Sequence, residues 1–459
     1  MRAALLFAFV AIGCSSRAAE PNLASELEGA YAETVTANGV VREFELVAAE
    51  TEVPLLVGAP LRVWAYNGQV PGPTLRIRLG ETIRVRFTNR LPQETTIHWH
   101  GVRVPNAMDG VPHATQPPTQ PGETFTYEFT PKDAGTFWFH PHVRSSEQVE
   151  RGLYGLLIVE DRAPPPYTRE VTWILDDWLL TPERQISPAF NVPHELAHDG
   201  RWGNVITVNG RTDTRLQVAP GERIRLRLLN ASNGRVYAPD FAGLDAKVVA
   251  VDGLYVRTPA ALQHFELAPG NRLDLDVTIT GAARSIMVTD VYSRRRVHPL
   301  AEIEIDGAPR ATPTFAAPAG KVPTWERALD TPLTHEFRLN ARRGGPLGIE
   351  WTIDGKAFAG HDHAHAALVL RRGAWTRLRF TNDSARIHPI HLHGMFFKVV
   401  ARDGEPVDEG FFRDTVLIHG GESIDIGVVP LDAGEWMMHC HILEHAEAGM
   451  MTMLSVREG

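Results

Sequence analysis

Apolar and polar positions alternate along most of this chain with the two-residue period of a half-buried strand, in short runs punctuated by Gly and Pro. No run keeps the 3.6-residue period of a long helix, so the pattern predicts an all-β fold. Three stretches share one design: "YNGQVPGPTLRIRLGETIRVRFTN" ending at Asn89, "TVNGRTDTRLQVAPGERIRLRLLN" ending at Asn230, and "TIDGKAFAGHDHAHAALVLRRGAWTRLRFTN" ending at Asn382. In each, a turn Gly precedes a strand, a second turn follows, and a strand of alternating apolar residues and arginines comes next. The first copy is expected to turn Ile83, Val85 and Phe87 inward and Arg84 and Arg86 outward. Each copy reads as one β-sandwich.

The repeat asparagines lie 141 and 152 residues apart, so the copies are domain-sized and too long for solenoid repeats. "APPPYT" at 163–168 and the Pro/Ala-rich segment 307–324 read as linkers. The expected organisation is a leader over 1–19 and three β-sandwich domains over 35–162, 169–306 and 325–459.

Composition changes this picture little. With 459 residues and a net charge of -9, the chain is long enough for three buried cores and lacks the basic face that nucleic acid requires. The opening "MRAALLFAFVAIGCSS" has one Arg, a short apolar run and then small residues, the pattern of an export signal. Processing is expected either by cleavage after Ala18 or by lipidation at Cys14, where a bacterial lipoprotein box is approximated. The protein is therefore expected in the periplasm or lipid-anchored in a bacterial cell envelope, as a monomer whose only membrane link is that lipid. The only other cysteine, Cys440, is left without an intrachain disulfide partner, which is unusual for an exported protein.

The chemistry sits in the histidines. His98 and His100 follow Asn89 by nine and eleven residues, and His391 and His393 follow Asn382 by the same offsets. "PKDAGTFWFHPH" likewise matches "PLDAGEWMMHCH", placing His140 and His142 after Gly135 as His439 and His441 follow Gly434. The middle copy has Pro239 and Phe241 at the first pair of offsets and no second pair, so it is expected to be a spacer. Side chains two apart on a strand share a face, which lets both imidazoles of each pair reach one metal cluster. Cys440, between His439 and His441, must then point the opposite way and join two metal sites by a short bonded route for electrons. His388, His445 and Met450 complete a set of two imidazoles, a thiolate and a weak thioether, the ligands of a blue-copper electron-transfer centre.

With these motifs in order, as "HWHG" at 98–101, "HPH" at 140–142, "HPIHLHG" at 388–394 and "HCHILEHAEAGM" at 439–450, the chain resembles the three-domain, laccase-like multicopper oxidases of bacteria. The resemblance runs from "YNGQVPGPTLR" onward and implies three consecutive cupredoxin-like Greek-key sandwiches and four coppers per chain. His388, Cys440, His445 and Met450 would hold the type 1 copper, and His98 and His391 the type 2. His100, His140 and His441 would hold one type 3 copper, and His142, His393 and His439 the other. The implied catalysis couples four one-electron oxidations of a small reductant (a phenol, an aromatic amine or a metal ion) to reduction of dioxygen to water. Electrons would pass through Cys440 with His439 and His441. Asp109, in "AMDG", matches the family's acidic residue beside the cluster and would orient ligands or relay protons. The chain departs from the bacterial pattern at Ala446, where relatives carry a proton-feeding Glu, and Glu447 need not point the same way.

Two alternatives stay in view: a cuprous oxidase serving envelope copper tolerance, and a non-catalytic copper-binding or envelope scaffold protein. Twelve intact ligand positions oppose the scaffold. For the cuprous oxidase, no separate Met-rich insert is visible, although five of the nine methionines are Met437, Met438, Met450, Met451 and Met453. "GHDHAH" at 360–365 falls in the extra residues of the third copy. Its turn-to-turn interval is 18 residues (Gly355 to Gly373), against 12 (Gly68 to Gly80) and 11 (Gly210 to Gly221). His361, His363 and His365, with Asp362, would bind Cu(II) or Zn(II) if extended, or form a solvated loop.

Overall fold

A computed structural model describes residues 21–56, 59–281, 283–293, 295–358 and 366–459. The leader with Cys14, and the loop bearing His361, His363 and His365, lie outside the described residues.

Among the described residues the strands form six sheets, two in each of three successive blocks of chain. In the first block one sheet runs Ala59–Tyr66, Val41–Leu56, Thr82–Arg90, Thr124–Phe129, and the other Leu75–Arg78, Gly155–Glu160, Gly135–His140, His98–His100. Each block repeats two parallel pairings among antiparallel ones. Its first long strand lies parallel to the arginine-bearing strand: Val41–Leu56 with Thr82–Arg90, Arg169–Trp178 with Arg223–Asn230, and His335–Arg343 with Thr376–Asn382. In the facing sheet, Leu75–Arg78 lies parallel to Gly155–Glu160, Arg215–Val218 to His298–Ile305, and Leu368–Arg371 to Met451–Arg457. The chain is thus three cupredoxin-like Greek-key sandwiches in succession.

The alternation that predicts the strands also fills the cores. Ile83, Val85 and Phe87 are buried in the first core, while Arg84 turns outward and bonds Glu43 and Glu128 at 2.6 Å each. The corresponding arginines of the middle block behave differently. Arg225 and Arg227 are buried on Asp274, and Arg227 reaches Thr136 of the first block at 2.7 Å. Their face is covered by the neighbouring block, so charge on an alternating strand marks an interface here and not solvent.

The repeat asparagines have a structural cause. Each is buried at the end of its strand, and its side-chain oxygen accepts from the backbone N–H two residues on: Asn89 from Leu91, Asn230 from Ser232, Asn382 from Ser384. Each side-chain amide then donates to carbonyls of the following loop, as Asn382 does to Arg386 and His419. This Asx turn starts the loop toward the histidine pair at a fixed distance, which explains the shared offsets.

Candidate metal centre

Strand Gly434–Cys440 sits between Met451–Arg457 and His388–Leu392 in the last sheet. Trp436, Met438 and Cys440 enter the third core, while Met437 packs outward with Val111 of the first block. His439 is on the Met437 face, so Cys440 and the flanking imidazoles point apart as the period of two requires. The glycines that open the two matching strands admit close neighbours. A side chain on Gly135 would meet the backbone of Gly253 at 2.3 Å, and one on Gly434 would meet Asn106 at 2.6 Å.

Eight imidazoles from the first and third blocks converge. Nitrogens of His142, His393 and His439 lie mutually within 4.8 Å, as do those of His98, His100 and His140, and of His98, His391 and His393. His441 joins none of these groups, but its ring centroid lies 4.9 Å from that of His100 and 5.4 Å from that of His140. On the other side of the strand, Cys440 Sγ stands 3.7 Å from Nδ1 of both His388 and His445, and Met450 is buried in the same core.

Most rings are held from behind through one nitrogen, leaving the other to face the group. Nδ1 of His98 donates to Asp109 O (2.8 Å), that of His140 to Pro141 O (2.9 Å), that of His391 to Asp414 O (2.9 Å) and that of His439 to Cys440 O (2.8 Å). His100 is reversed: its Nε2 meets Asp414 Oδ1 at 3.2 Å and Thr415 Oγ1 at 3.3 Å, so it offers Nδ1. Around the thiol, His388 Nε2 meets Ser384 Oγ at 2.9 Å and His445 Nε2 donates to His198 O at 2.6 Å, which leaves both Nδ1 atoms toward sulfur.

This arrangement fits metal ions and little else. Nε2 of His98, His140, His391 and His441, and Nδ1 of His100 and His441, are buried without a hydrogen-bond partner. His439 Nε2 faces Nε2 of His393 at 3.1 Å and of His142 at 3.3 Å, an approach of lone pairs that a shared cation relieves. Burial drives the pKa values of His100, His140, His142, His388, His391, His393 and His441 down, and those of His439 and His445 down to about 3, so these rings are neutral ligands at ordinary pH. Burial also pushes the Cys440 thiol up, so its proton leaves only in exchange for a cation. Hard dications would take oxygen ligands; this set of imidazoles and one sulfur suits copper.

Asp109 closes the 3-10 turn Asn106–Met108 and is fully buried. Its Oδ2 accepts from His393 Nδ1 and its backbone O from His98 Nδ1, at 2.8 Å each, so one residue braces histidines from both blocks. Ala446 and Glu447 both line the cavity that reaches His140, His142 and His439, so Glu447 shares the surroundings of position 446.

Several residues escaped the sequence reading. Asp414 and Thr415 brace His100 and His391, and Arg272 of the middle block grips Asp414. Gly270 of the same block fits so closely that a side chain there would meet His100 and His441 at 3.0 Å. The middle block also supplies His198 O to His445, and Trp351 packs tilted against that ring, with centroids 4.2 Å apart, and donates to Leu196 O. None of these belongs to a histidine motif. Among the described residues the middle block supplies no grouped ligand, yet it walls both centres and does more than space the outer two. Ser384, which meets His388, does carry a signal, because it lies two residues after a repeat Asn.

Models of the multicopper oxidase family match residues 48–164, 169–299 and 330–459. The multicopper oxidase MmcO of Mycobacterium tuberculosis is 30% identical over 441 residues, covering 87% of this chain and 84% of its own length. A laccase of Cryphonectria parasitica is 27% identical over 486 residues, covering 90% of this chain and 81% of its own. Among solved structures, a multicopper oxidase of Pseudomonas thermotolerans superposes with a TM-score of 0.81 at 35% identity, covering 91% of this chain and 100% of the other.

Proposed function

Because the chain belongs to the multicopper oxidase family, it is a copper-dependent oxidoreductase that takes electrons from reducing substrates and gives them to dioxygen, and we propose how its residues divide that work. His388, Cys440, His445 and Met450 hold the type 1 copper. His98 and His391 hold the type 2 copper, and the trios His100, His140, His441 and His142, His393, His439 hold the type 3 pair. The observation that carries this reading is the two-faced strand Gly434–Cys440, with a thiol between two imidazoles on one side and His439 among bare imidazole nitrogens on the other.

Bound copper supplies the one-electron carriers and the place where dioxygen takes four electrons and four protons to become water. The chain does the rest. Cys440 joins the two centres covalently to His439 and His441. The His445 Nε2–H, tied to His198 O, carries the type 1 centre to the protein surface, because His198 lines a half-open cavity of about 480 Å³. That cavity also presents Trp202, His194, Asp199 and Arg386. Rings for stacking and a carboxylate to receive the hydroxyl or amine proton suit phenols and aromatic amines. Asp109 keeps His393 and His98 in the tautomers that face the cluster.

The three sandwiches correspond to units 35–162, 169–306 and 325–459. The protein acts as an exported monomer, in the periplasm or held to the envelope by lipid. Among the described residues no helix is long and apolar enough to cross a membrane, which is compatible with that placement.

The test is steady-state oxidation of a phenol, an aromatic diamine and Cu(I) by the copper-loaded protein, beside Cys440→Ser. The wild type should be blue and oxidise the aromatic substrates faster than Cu(I), and the variant should lose colour and oxidation together. A colourless but active wild type would sink the type 1 assignment, and preference for Cu(I) would sink the substrate assignment.

A further inference from the structure

The methionines near the last motif are not scattered. The alternation of strand Gly434–Cys440 sends Met438 into the third core and Met437 to the face that carries His439. The neighbouring antiparallel strand sets Met453 opposite Met437 and Met451 opposite His439. Directly opposed residues share a face, so three thioethers continue the line of that imidazole. Met437 and Met453 are buried with Val111, and Met451 is half-buried beside Phe358.

This line borders a half-open cavity of about 260 Å³ whose wall includes Met437, Met451 and Phe358 and which reaches His140, His142 and His439. His98, His100, His140, His391, His393, His439 and His441 are at most 1% exposed, and the cavity that reaches His140, His142 and His439 leads a metal ion to them past Met437 and Met451. Thioethers are soft and uncharged and carry no proton to displace, which suits a monovalent d10 cation and disfavours hard dications. Leu at both positions would fill the same space equally well for packing alone.

We propose that the Met437 and Met451 thioethers form a transient Cu(I)-binding site through which the trinuclear histidine group takes up its copper. In the transfer, copper–sulfur bonds break and copper–nitrogen bonds to His439 and its partners form. The ion stays Cu(I), and no electron or proton changes hands at sulfur. The proposal rests on the assignment of those histidines to copper.

Two measurements on Met437→Leu/Met451→Leu test it. The first is binding of Ag(I), a redox-inert stand-in for Cu(I), to the copper-loaded protein: the wild type should take one equivalent and the variant none. The second is reconstitution of apoprotein with Cu(I), following the blue absorption of the Cys440 centre and the copper content and spectra of the histidine cluster separately. The variant should fill the cluster roughly tenfold more slowly, while the blue centre forms at the wild-type rate. Met438→Leu, on the opposite face of the same strand, should behave as wild type in both. Unchanged Ag(I) binding or unchanged cluster loading in the double variant overturns the proposal. A wild type that gains the blue centre but never fills the histidine cluster overturns the copper assignment beneath it.

Discussion

Replacing Arg272 by Met should damage stability and metal binding together, because this side chain fastens the middle block to the cluster. Arg272 is fully buried, and its guanidinium donates to Thr136 O at 3.1 Å, Gly270 O at 3.0 Å and Asp252 O at 2.9 Å. It also forks onto Asp414, at 3.0 Å to Oδ1 and 2.5 Å to Oδ2. Met fills much of the volume but leaves Asp414 a buried carboxylate without its cation, a loss of about 3–5 kcal/mol. At about 2–4 °C per kcal/mol in a large domain, the thermal midpoint should fall by roughly 6–20 °C. The second effect travels through Asp414, which braces His100 and His391; losing such a brace weakens metal affinity by about 10–100-fold. Arg272→Lys restores the charge without the planar fork, so it should recover part of the stability and little of the affinity. Calorimetry and copper titration against a competing chelator read the two effects. A midpoint within a degree of wild type would refute the ion-pair argument. A lowered midpoint with wild-type copper affinity would show that Arg272 only holds blocks together.

Asp109→Asn keeps shape but offers a single side-chain oxygen, so the His393 brace should weaken and copper affinity of the cluster should drop by about 10–100-fold, with the blue absorption retained; unchanged affinity would leave Asp109 a turn residue. His419 of the third block meets Glu266 of the middle block at 2.8 Å, and that bond holds its pKa above the ordinary histidine value. A raised folded pKa means that the contribution of the pair is complete below about 6.5 and is lost as pH rises through the folded value. Glu266→Gln should return His419 to the ordinary range in an NMR titration, and an unmoved midpoint would show that some other group sets it.

What the sequence showed and what it hid have separate physical reasons. The strands, the three-fold repeat and the histidine pairs were legible because each depends on short-range periodicity: two residues per strand repeat, and a fixed turn after each repeat Asn. The opposed faces of Cys440 and His439 followed from the same period. The braces were not legible. Asp414, Arg272 and His198 act across blocks, and no local spacing records a contact between residues 142 positions apart such as Arg272 and Asp414. Where Glu447 lies was not legible for a related reason. It sits on the short helix Leu443–Glu447, where neighbouring side chains diverge by about 100°, yet the cavity is broad enough to take in both it and Ala446.

The grouping of His142 with His393 and His439 has a mechanical consequence. Coordination at such a group ties a point early in the chain to one late in it, and the whole middle sandwich lies inside the loop that this tie closes. Pulled from its two ends, the copper-loaded protein bears the load along the first and third sandwiches and across the clasp, while the middle one hangs slack. Stripped of metal, the same chain carries the force straight through the middle sandwich. The extension at which that sandwich opens therefore reports whether the clasp is shut.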